Sequence, residues 1–475
     1  MKRGIRYFIY SLVALALLVV SCSKDPVDFP TPEPEPGNGD DPDVGLTNWA
    51  RREARAVWFT TVWGLDWPLG ITDQAEQKAL IQEYLDIFEE YHINLIYFQV
   101  KGLGDAMYKS SYEPWSGYLT GVRGQDPGWD PLKYMIEESH KRNIELHAWV
   151  NPFRIASSAP FPPLHPSIKE EWVVKHPNMM VYNPAVPEAR QRLADIAKEI
   201  VTNYDVDGIH FDDYFYPDPQ TAGTLVSDKA DYEKYGSEYK TIEEFRRANV
   251  HKAVDGVYKA IKQAKPNVVF SISPAASHEY TFSTMYADVP NMVRSGIVDV
   301  LIPQLYNASQ IPSLIPIWSG LAGRKADMMI GLGVYKLREA DNPEDLPRQV
   351  AESRKSDHVV GTSIYRSLEL RNANIRMKQA LKIAYPSPSI RPVIIETTPP
   401  AAPVNIKIEG DMLKWSSVPG LWCAVSYHAK GSDKIEVEAI TNKNELKITK
   451  KGFYIVHSLN RQNVQSTNKE FVEYK

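Results

Sequence analysis

Between Arg51 and Tyr385, short runs rich in apolar, β-branched and aromatic residues recur at Ala54–Thr61, Asn94–Val100, Glu145–Val150, Gly208–Asp213, Val268–Pro274, Val298–Tyr306, Met328–Tyr335 and Val359–Tyr365. Each run has strand character. The segments between them read as helices: Gln77–Tyr91, Pro131–Arg142, Pro187–Tyr204, Ile242–Ala264, Met285–Ser295, Ile311–Leu321, Pro343–Ser353 and Leu368–Tyr385. Asp130 before Pro131 is a helix cap, and Thr241 with Glu244 forms a capping box. Alternation of eight strands with helices predicts an α/β fold, a closed parallel (β/α)8 TIM-type barrel rather than an open doubly wound sheet.

Connection lengths point the same way. Helix-to-strand joints such as His92-Ile93 and Asn143-Ile144 are very short, whereas the strand-to-helix segments Lys101–Asp130, Asn151–Val186 and Tyr214–Thr241 are long. A barrel whose site lies on the C-terminal side of its strands has this asymmetry. The fourth strand enters that side through Asp205-Val-Asp-Gly-Ile-His-Phe-Asp-Asp-Tyr-Phe-Tyr-Pro217, where an apolar run ends in adjacent carboxylates and aromatics. Side-chain alternation places His210, Asp212 and Tyr214 on one face and Ile209, Phe211 and Asp213 on the other.

The ends of the chain set its context. Lys2, Arg3 and Arg6 precede an apolar run, Tyr7–Val20, that fits a signal-peptide core and is too short for a spanning helix. Val19-Val20-Ser21-Cys22 resembles a bacterial lipobox, which implies cleavage after residue 21 and lipidation of Cys22; Ser23 in the next position favours the outer membrane, with a periplasmic or cell-surface face. Residues 22–50 are rich in Pro, Asp and Gly and read as a tether. The barrel is expected over 51–385 and a proline-rich linker over 386–403. Residues 404–475 alternate as the strands of a small all-β sandwich, at Asn405–Ile408, Met412–Trp415, Trp422–His428, Ile435–Ile440, Leu446–Ile448 and Phe453–Leu459. Only Cys22 and Cys423 occur, so with Cys22 lipidated no intramolecular disulfide is available. With 54 Lys and Arg against 59 Asp and Glu the net charge is −5, which offers no basic surface for nucleic acid and no polybasic membrane patch.

The long loops and strand ends are dense in aromatic side chains, among them Trp63, Trp67, Trp149 and Tyr214, and flat apolar rings of this kind stack on the apolar faces of pyranoses. Gln99, Asn151, Arg154, His210, Gln304, Tyr306 and Tyr335 fall at the same strand ends. That mixture of amide, hydroxyl and cationic groups around carboxylates suits a carbohydrate with many hydroxyls.

Taken together, Ala56-Val-Trp58 with Asp66-Trp-Pro68, His147-Ala-Trp-Val-Asn-Pro-Phe-Arg154, Asp207–Pro217 and Pro303-Gln-Leu-Tyr306 resemble the glycosyl-hydrolase-like family ten. The resemblance implies a TIM-type barrel in exported bacterial proteins and hydrolysis of O-glycosidic bonds, with peptidoglycan strands the substrate implied for some relatives and a dietary or host glycan also open. Asp207–Asp212 is similar to the fourth-strand segment of α-amylase-type barrels, which implies a nucleophile or charge-stabilising role for Asp212, but His210 replaces the arginine of those enzymes. Against the chitinase-type run, Tyr214 stands where the acid would be. Trp415 and Gly452–Val456 resemble a fibronectin type III module.

Glycoside hydrolysis needs a proton donor and a second carboxyl group. Asp212 is one candidate; Asp213, Glu279, Asp105, Glu113 and Asp218 compete for the other place, with Glu279 first because it stands just beyond the fifth strand, where the resemblance to α-amylase-type barrels implies the acid. The expected chemistry requires no cofactor. A barrel that binds glycan without cleaving it, and a metal-dependent polysaccharide deacetylase using His147, His210, Asp212 and Asp213, are the alternative readings.

Overall fold

The computed structural model describes residues 48–339 and 342–475; the expected signal segment, Cys22 and most of the tether lie outside the described residues. Eight parallel strands close into a barrel in chain order: β1 Ala54–Phe59, β2 Leu95–Lys101, β3 Glu145–Val150, β4 Gly208–Phe211, β5 Val269–Ile272, β6 Val300–Leu301, β7 Asp327–Gly333 and β8 Val359–Tyr365. The register runs round the ring from Ala56 opposite Leu95 to Gly361 opposite Ala54. Closure there requires glycine, because a Cβ on residue 361 would lie 2.1 Å from the Ala54 carbonyl oxygen.

Alternation along the strands builds two layers. Val57, Phe59, Ile96, Phe98, Ile209, Phe211 and Phe270 point outward and are buried under the helices, while Ala56, Trp58, Tyr97, Trp149, Ile302 and Met329 fill the interior. Each fully buried large apolar side chain contributes about 1.5–3 kcal/mol. The helices begin where the caps predict: Asp130 accepts from the Lys133 amide at 3.0 Å, and Thr241 accepts from Glu244 at 3.2 Å to open Ile242–Ala264. Two helices differ from expectation. Leu368–Tyr385 is divided into Ser367–Arg371 and Ile375–Ala384, since Asn374 caps a new helix by accepting from Met377 N; the segment after Met285 becomes helical only at Val289, where Asp288 caps it.

Beyond the barrel, β9 Val404–Glu409, β10 Met412–Ser416 and β13 Glu445–Lys447 form one antiparallel sheet, and β12 Lys434–Thr441, β11 Trp422–His428, β14 Gly452–Leu459 and β15 Val472–Tyr474 form the other. Leu413, Trp415, Cys423, Val425, Tyr454 and Val456 pack between them. A two-residue strand, Asn48–Trp49, adds to β12 in parallel. The sandwich sits on the N-terminal face of the barrel. Arg461 Nε bonds Asp207 at 2.8 Å and its guanidinium also reaches Asp205, Asn463 Nδ2 donates to Glu145 at 2.8 Å, and Arg391 Nε meets Glu145 at 3.0 Å. This leaves the long loops at the opposite pole free to build a site.

Candidate active site

At the C-terminal end of the strands lies a cleft of about 630 Å³, lined by Trp58, Thr60, Val62, Trp63, Leu65, Gln99, Trp149, Arg154, Asp212, Asp213, Tyr214, Ser273, Gln304, Tyr306 and Tyr365. Strand β4 carries the inward series up to it. Gly208 is required at its foot, because a Cβ there would meet His147 Nδ1 at 2.4 Å. His210 follows, fully buried, and then Asp212.

Pairing in β4 stops at Phe211, one residue before the carboxylates. Strict alternation no longer holds for Asp213, so it enters the same cleft as Asp212 instead of facing the helices. Asp212 is the deeper of the two. Trp149 Nε1 donates to its Oδ2 at 3.0 Å and the Tyr214 amide to its Oδ1 at 3.2 Å. Asp213 is half-buried and accepts from Gln304 Nε2 at 3.2 Å through Oδ1. Burial, and then the neighbouring Asp213 charge, push the Asp212 carboxyl up to about 7. Asp213 is also raised, chiefly by burial. Two carboxylates side by side in a low-dielectric cleft resist ionising together, so the pair retains a proton near neutrality.

His210, which stands where α-amylase-type barrels have arginine, supplies no charge to Asp212. Trp58 Nε1 donates to His210 Nε2 at 3.0 Å, so that nitrogen bears a lone pair and Nδ1 carries the proton toward Ser271 Oγ at 2.8 Å. Burial and the nearby His147 hold the ring well below the ordinary histidine range, and it lies 4.2 Å, centroid to centroid, from Tyr97. It is a neutral support under Trp58 and Trp149.

Other expected residues separate into those the fold brings to the cleft and those it does not. Trp149, Arg154, Tyr214, Gln304 and Tyr306 line it. Gln99 reaches the cleft with its amide already engaged: Oε1 accepts from Thr61 N at 3.0 Å and Val62 N at 2.8 Å, and Nε2 donates to Asn151 Oδ1 at 2.9 Å. Asn151 is buried behind it. Trp67 is a core residue, edge-on to Phe98 and Trp129 with its Nε1 donating to Gln77 O. Tyr335 stands edge-on behind Tyr306 and Tyr365 and is not among the lining residues. Glu279 is exposed on the first turn of the helix His278–Ser283 and does not reach the cleft, because the chain after β5 turns outward into that helix. Asp105, Glu113 and Asp218 are outside as well: Glu113 accepts from Tyr182 Oη at 2.7 Å, and Asp218 caps the helix Pro219–Ala222. Sequence reasoning passed over Trp58, Thr60 and Tyr365 as site residues. Trp58 had a signal, as the large member of an inward small-small-large series with Ala54 and Ala56.

Among the described residues no group of three or more His, Cys, Asp and Glu is placed to hold a metal ion. A larger hollow, about 830 Å³, lies at the other pole between barrel and sandwich. Across it Arg461 of the sandwich pairs with Asp205 and Asp207 of the barrel, which makes it an interdomain seam.

A closed (β/α)8 barrel with paired carboxylates in an aromatic-lined cleft at its C-terminal pole is the architecture of a glycan-acting hydrolase. The chain belongs to the glycosyl hydrolase-like 10 family, whose model matches residues 53–344. It is 36% identical over 397 residues to glycosyl hydrolase YngK of Bacillus subtilis, covering 76% of this chain and 78% of that one. Glycosyl hydrolase DigH of Escherichia coli K12 is 32% identical over 375 residues, 70% of this chain and 84% of that protein. The glycoside hydrolase domain of PgaB (BpsB) from Bordetella bronchiseptica shares the fold at a TM-score of 0.50 and 12% identity, over 71% of this chain and 99% of that one.

Proposed function

We propose that the protein is an exported, lipid-anchored glycoside hydrolase that cleaves glycans built of 2-acetamido sugars, peptidoglycan strands among them, through the Asp212–Asp213 pair. The observation that carries this reading is that Asp212 and Asp213 are the two carboxylates among the described residues lining the cleft. Neighbours in sequence that enter one cleft from one strand end are poorly placed to act from opposite faces of a sugar ring, as a separate acid and carboxylate nucleophile must. A substrate whose own 2-acetamido group attacks the anomeric carbon removes that need.

Roles follow from the hydrogen bonds. Both oxygens of Asp212 accept bonds, which suits an anion that holds the acetamido N–H and stabilises the positive charge developing beside it. Asp213 has Oδ1 on Gln304, and it acts as the proton donor. As the acetamido oxygen bonds to the anomeric carbon, the glycosidic C–O bond breaks and the leaving oxygen takes the Asp213 proton. Water then attacks the same carbon, returns a proton to Asp213 and releases the acetamido group, with net retention of configuration.

Chitin oligosaccharides, peptide-free peptidoglycan strands and β-glucans without acetamido groups, incubated with the full chain and analysed by mass spectrometry, test the reading. New reducing ends from the acetamido glycans alone are expected, with loss in Asp213→Asn eased by activated leaving groups and loss in Asp212→Asn not eased. Equal cleavage of the plain glucans removes the substrate-assisted step; binding without products makes the protein a glycan receptor. The anchor rests on the lipobox ending at Cys22 and is tested by Cys22→Ala, which should abolish fatty-acid labelling and outer-membrane retention. The strand order of the sandwich supports a fibronectin type III-like module acting as a packing partner of the barrel.

A further inference from the structure

Trp63 is out of place by ordinary packing rules. It is a tryptophan with 54% of its surface exposed, in a loop whose neighbours Val62 and Gly64 are buried, and its backbone is left-handed at φ +56°. Exposing the largest apolar ring forgoes burial, and a non-glycine residue in that conformation costs on the order of 1–2 kcal/mol. The surrounding chain nevertheless holds it there. The Gln99 amide accepts from both Thr61 N and Val62 N, Thr61 Oγ1 donates to Gln99 O at 2.7 Å, and Gly64 N bonds Thr61 O at 2.8 Å.

The ring also has a defined partner. The buried Arg154 guanidinium lies 5.8 Å from the Trp63 ring centroid and 3.9 Å from that of Tyr214, which is itself 37% exposed, while Arg154 Nε donates to Gly102 O. Trp63 lines the cleft that contains Asp212 and Asp213. Its indole is therefore fixed at the rim, beside the reacting carboxylates, with apolar surface open to whatever occupies the cleft.

We infer that Trp63 is a stacking platform for a pyranose ring of the glycan next to the sugar at which cleavage occurs, with Arg154 fixing the platform and Gln99 positioning its loop. This rests on the reading above that a glycan occupies the cleft. An indole has no proton to exchange with the leaving oxygen, so the platform adds affinity for a chain of several sugars and makes the protein select polymers and long oligosaccharides over single glycosides.

Calorimetric titration with the chitin hexasaccharide and with peptide-free peptidoglycan strands, in an Asp212→Asn background of the full chain to prevent turnover, provides the test. Trp63→Ala should weaken binding about tenfold, an aromatic-contact loss of ~1.4 kcal/mol, and Trp63→Phe should retain most of it. Trp63→Gly should also lose affinity while its Tm stays level or rises, because glycine accepts the left-handed conformation. A merely structural tryptophan predicts the reverse, a lower Tm with affinity intact. Unchanged affinity in Trp63→Ala and Trp63→Gly, where the parent binds, overturns the platform alone. Failure of the Asp212→Asn parent to bind, with no cleavage of either glycan by the unsubstituted protein, overturns both the platform and the proposed function.

Discussion

Asp207, half-buried, and Asp212, buried, stand at opposite ends of β4 in the same short motif, and the protein treats them in opposite ways. At the N-terminal pole Asp207 receives His140 Nε2 at 2.8 Å, the Leu146 amide at 2.9 Å and Arg461 Nε at 2.8 Å. Bonds and charge from His140, and the Arg461 charge, outweigh desolvation and hold its carboxyl well below the usual range. At the other pole burial, and then the Asp213 charge, outweigh the Arg154 charge and two uncharged donors, and the Asp212 carboxyl rises to about 7. The contrast separates holding from acting: a carboxylate with its charge matched ties elements together, and one kept short of countercharge is available to chemistry.

Neutralising either carboxylate should have opposite effects at the two ends. Asp212→Asn should lower turnover about 10²–10⁴-fold while leaving Tm unchanged or higher, since it removes a strained buried charge. Asp207→Asn should do the reverse. It leaves His140 and Arg461 without their anion and should cost about 2–4 kcal/mol, less than a fully buried pair because both partners are partly solvated, with turnover of the folded protein retained. Denaturation midpoints and product assays on both variants check the pair. Gly208→Ala acts between the two ends: the added methyl overlaps the His147 ring, and a loss of about 1–3 kcal/mol is expected in thermal unfolding.

The two carboxyl groups also respond oppositely to pH. Asp212 is raised in the folded state, so its destabilising contribution is absent near pH 4 and grows as pH rises toward about 7; Asp207 is depressed, so its stabilising contribution is present above pH ~4 and fades as pH falls below it. Tm profiles of Asp212→Asn should therefore gain on the parent between these values, and those of Asp207→Asn should lose least below pH 4. Cleavage should decline above about pH 7, as the pair gives up its shared proton.

Much of this architecture was legible in residue order. The eight strands and the helix Ile242–Ala264 are written in hydrophobic alternation and capping chemistry, which are local. The site was read less well wherever the outcome depended on contacts between distant elements. Asp213 joined Asp212 because pairing ended at Phe211, a property of the neighbouring strands that one strand's pattern does not contain. Gln99 looked like a ligand donor and is engaged by the loop after β1; Trp67 looked like a platform and is core; Glu279 looked like an acid and is solvent-facing. Trp63 was visible as one of many loop aromatics, but its exposure and left-handed backbone were not.

Asn48 and Trp49 pair in parallel with Lys434 and Ile435 at the outer edge of the sandwich sheet. Strand β12 would otherwise begin as an open sheet edge, and open edges recruit strands from other molecules. Trp49, edge-on to His457 at 5.6 Å, seats the chain's own lead-in segment over the start of that edge. A fragment begun at Arg51, where sequence composition puts the domain boundary, would remove this guard and invite edge-to-edge self-association in a barrel that was otherwise intact.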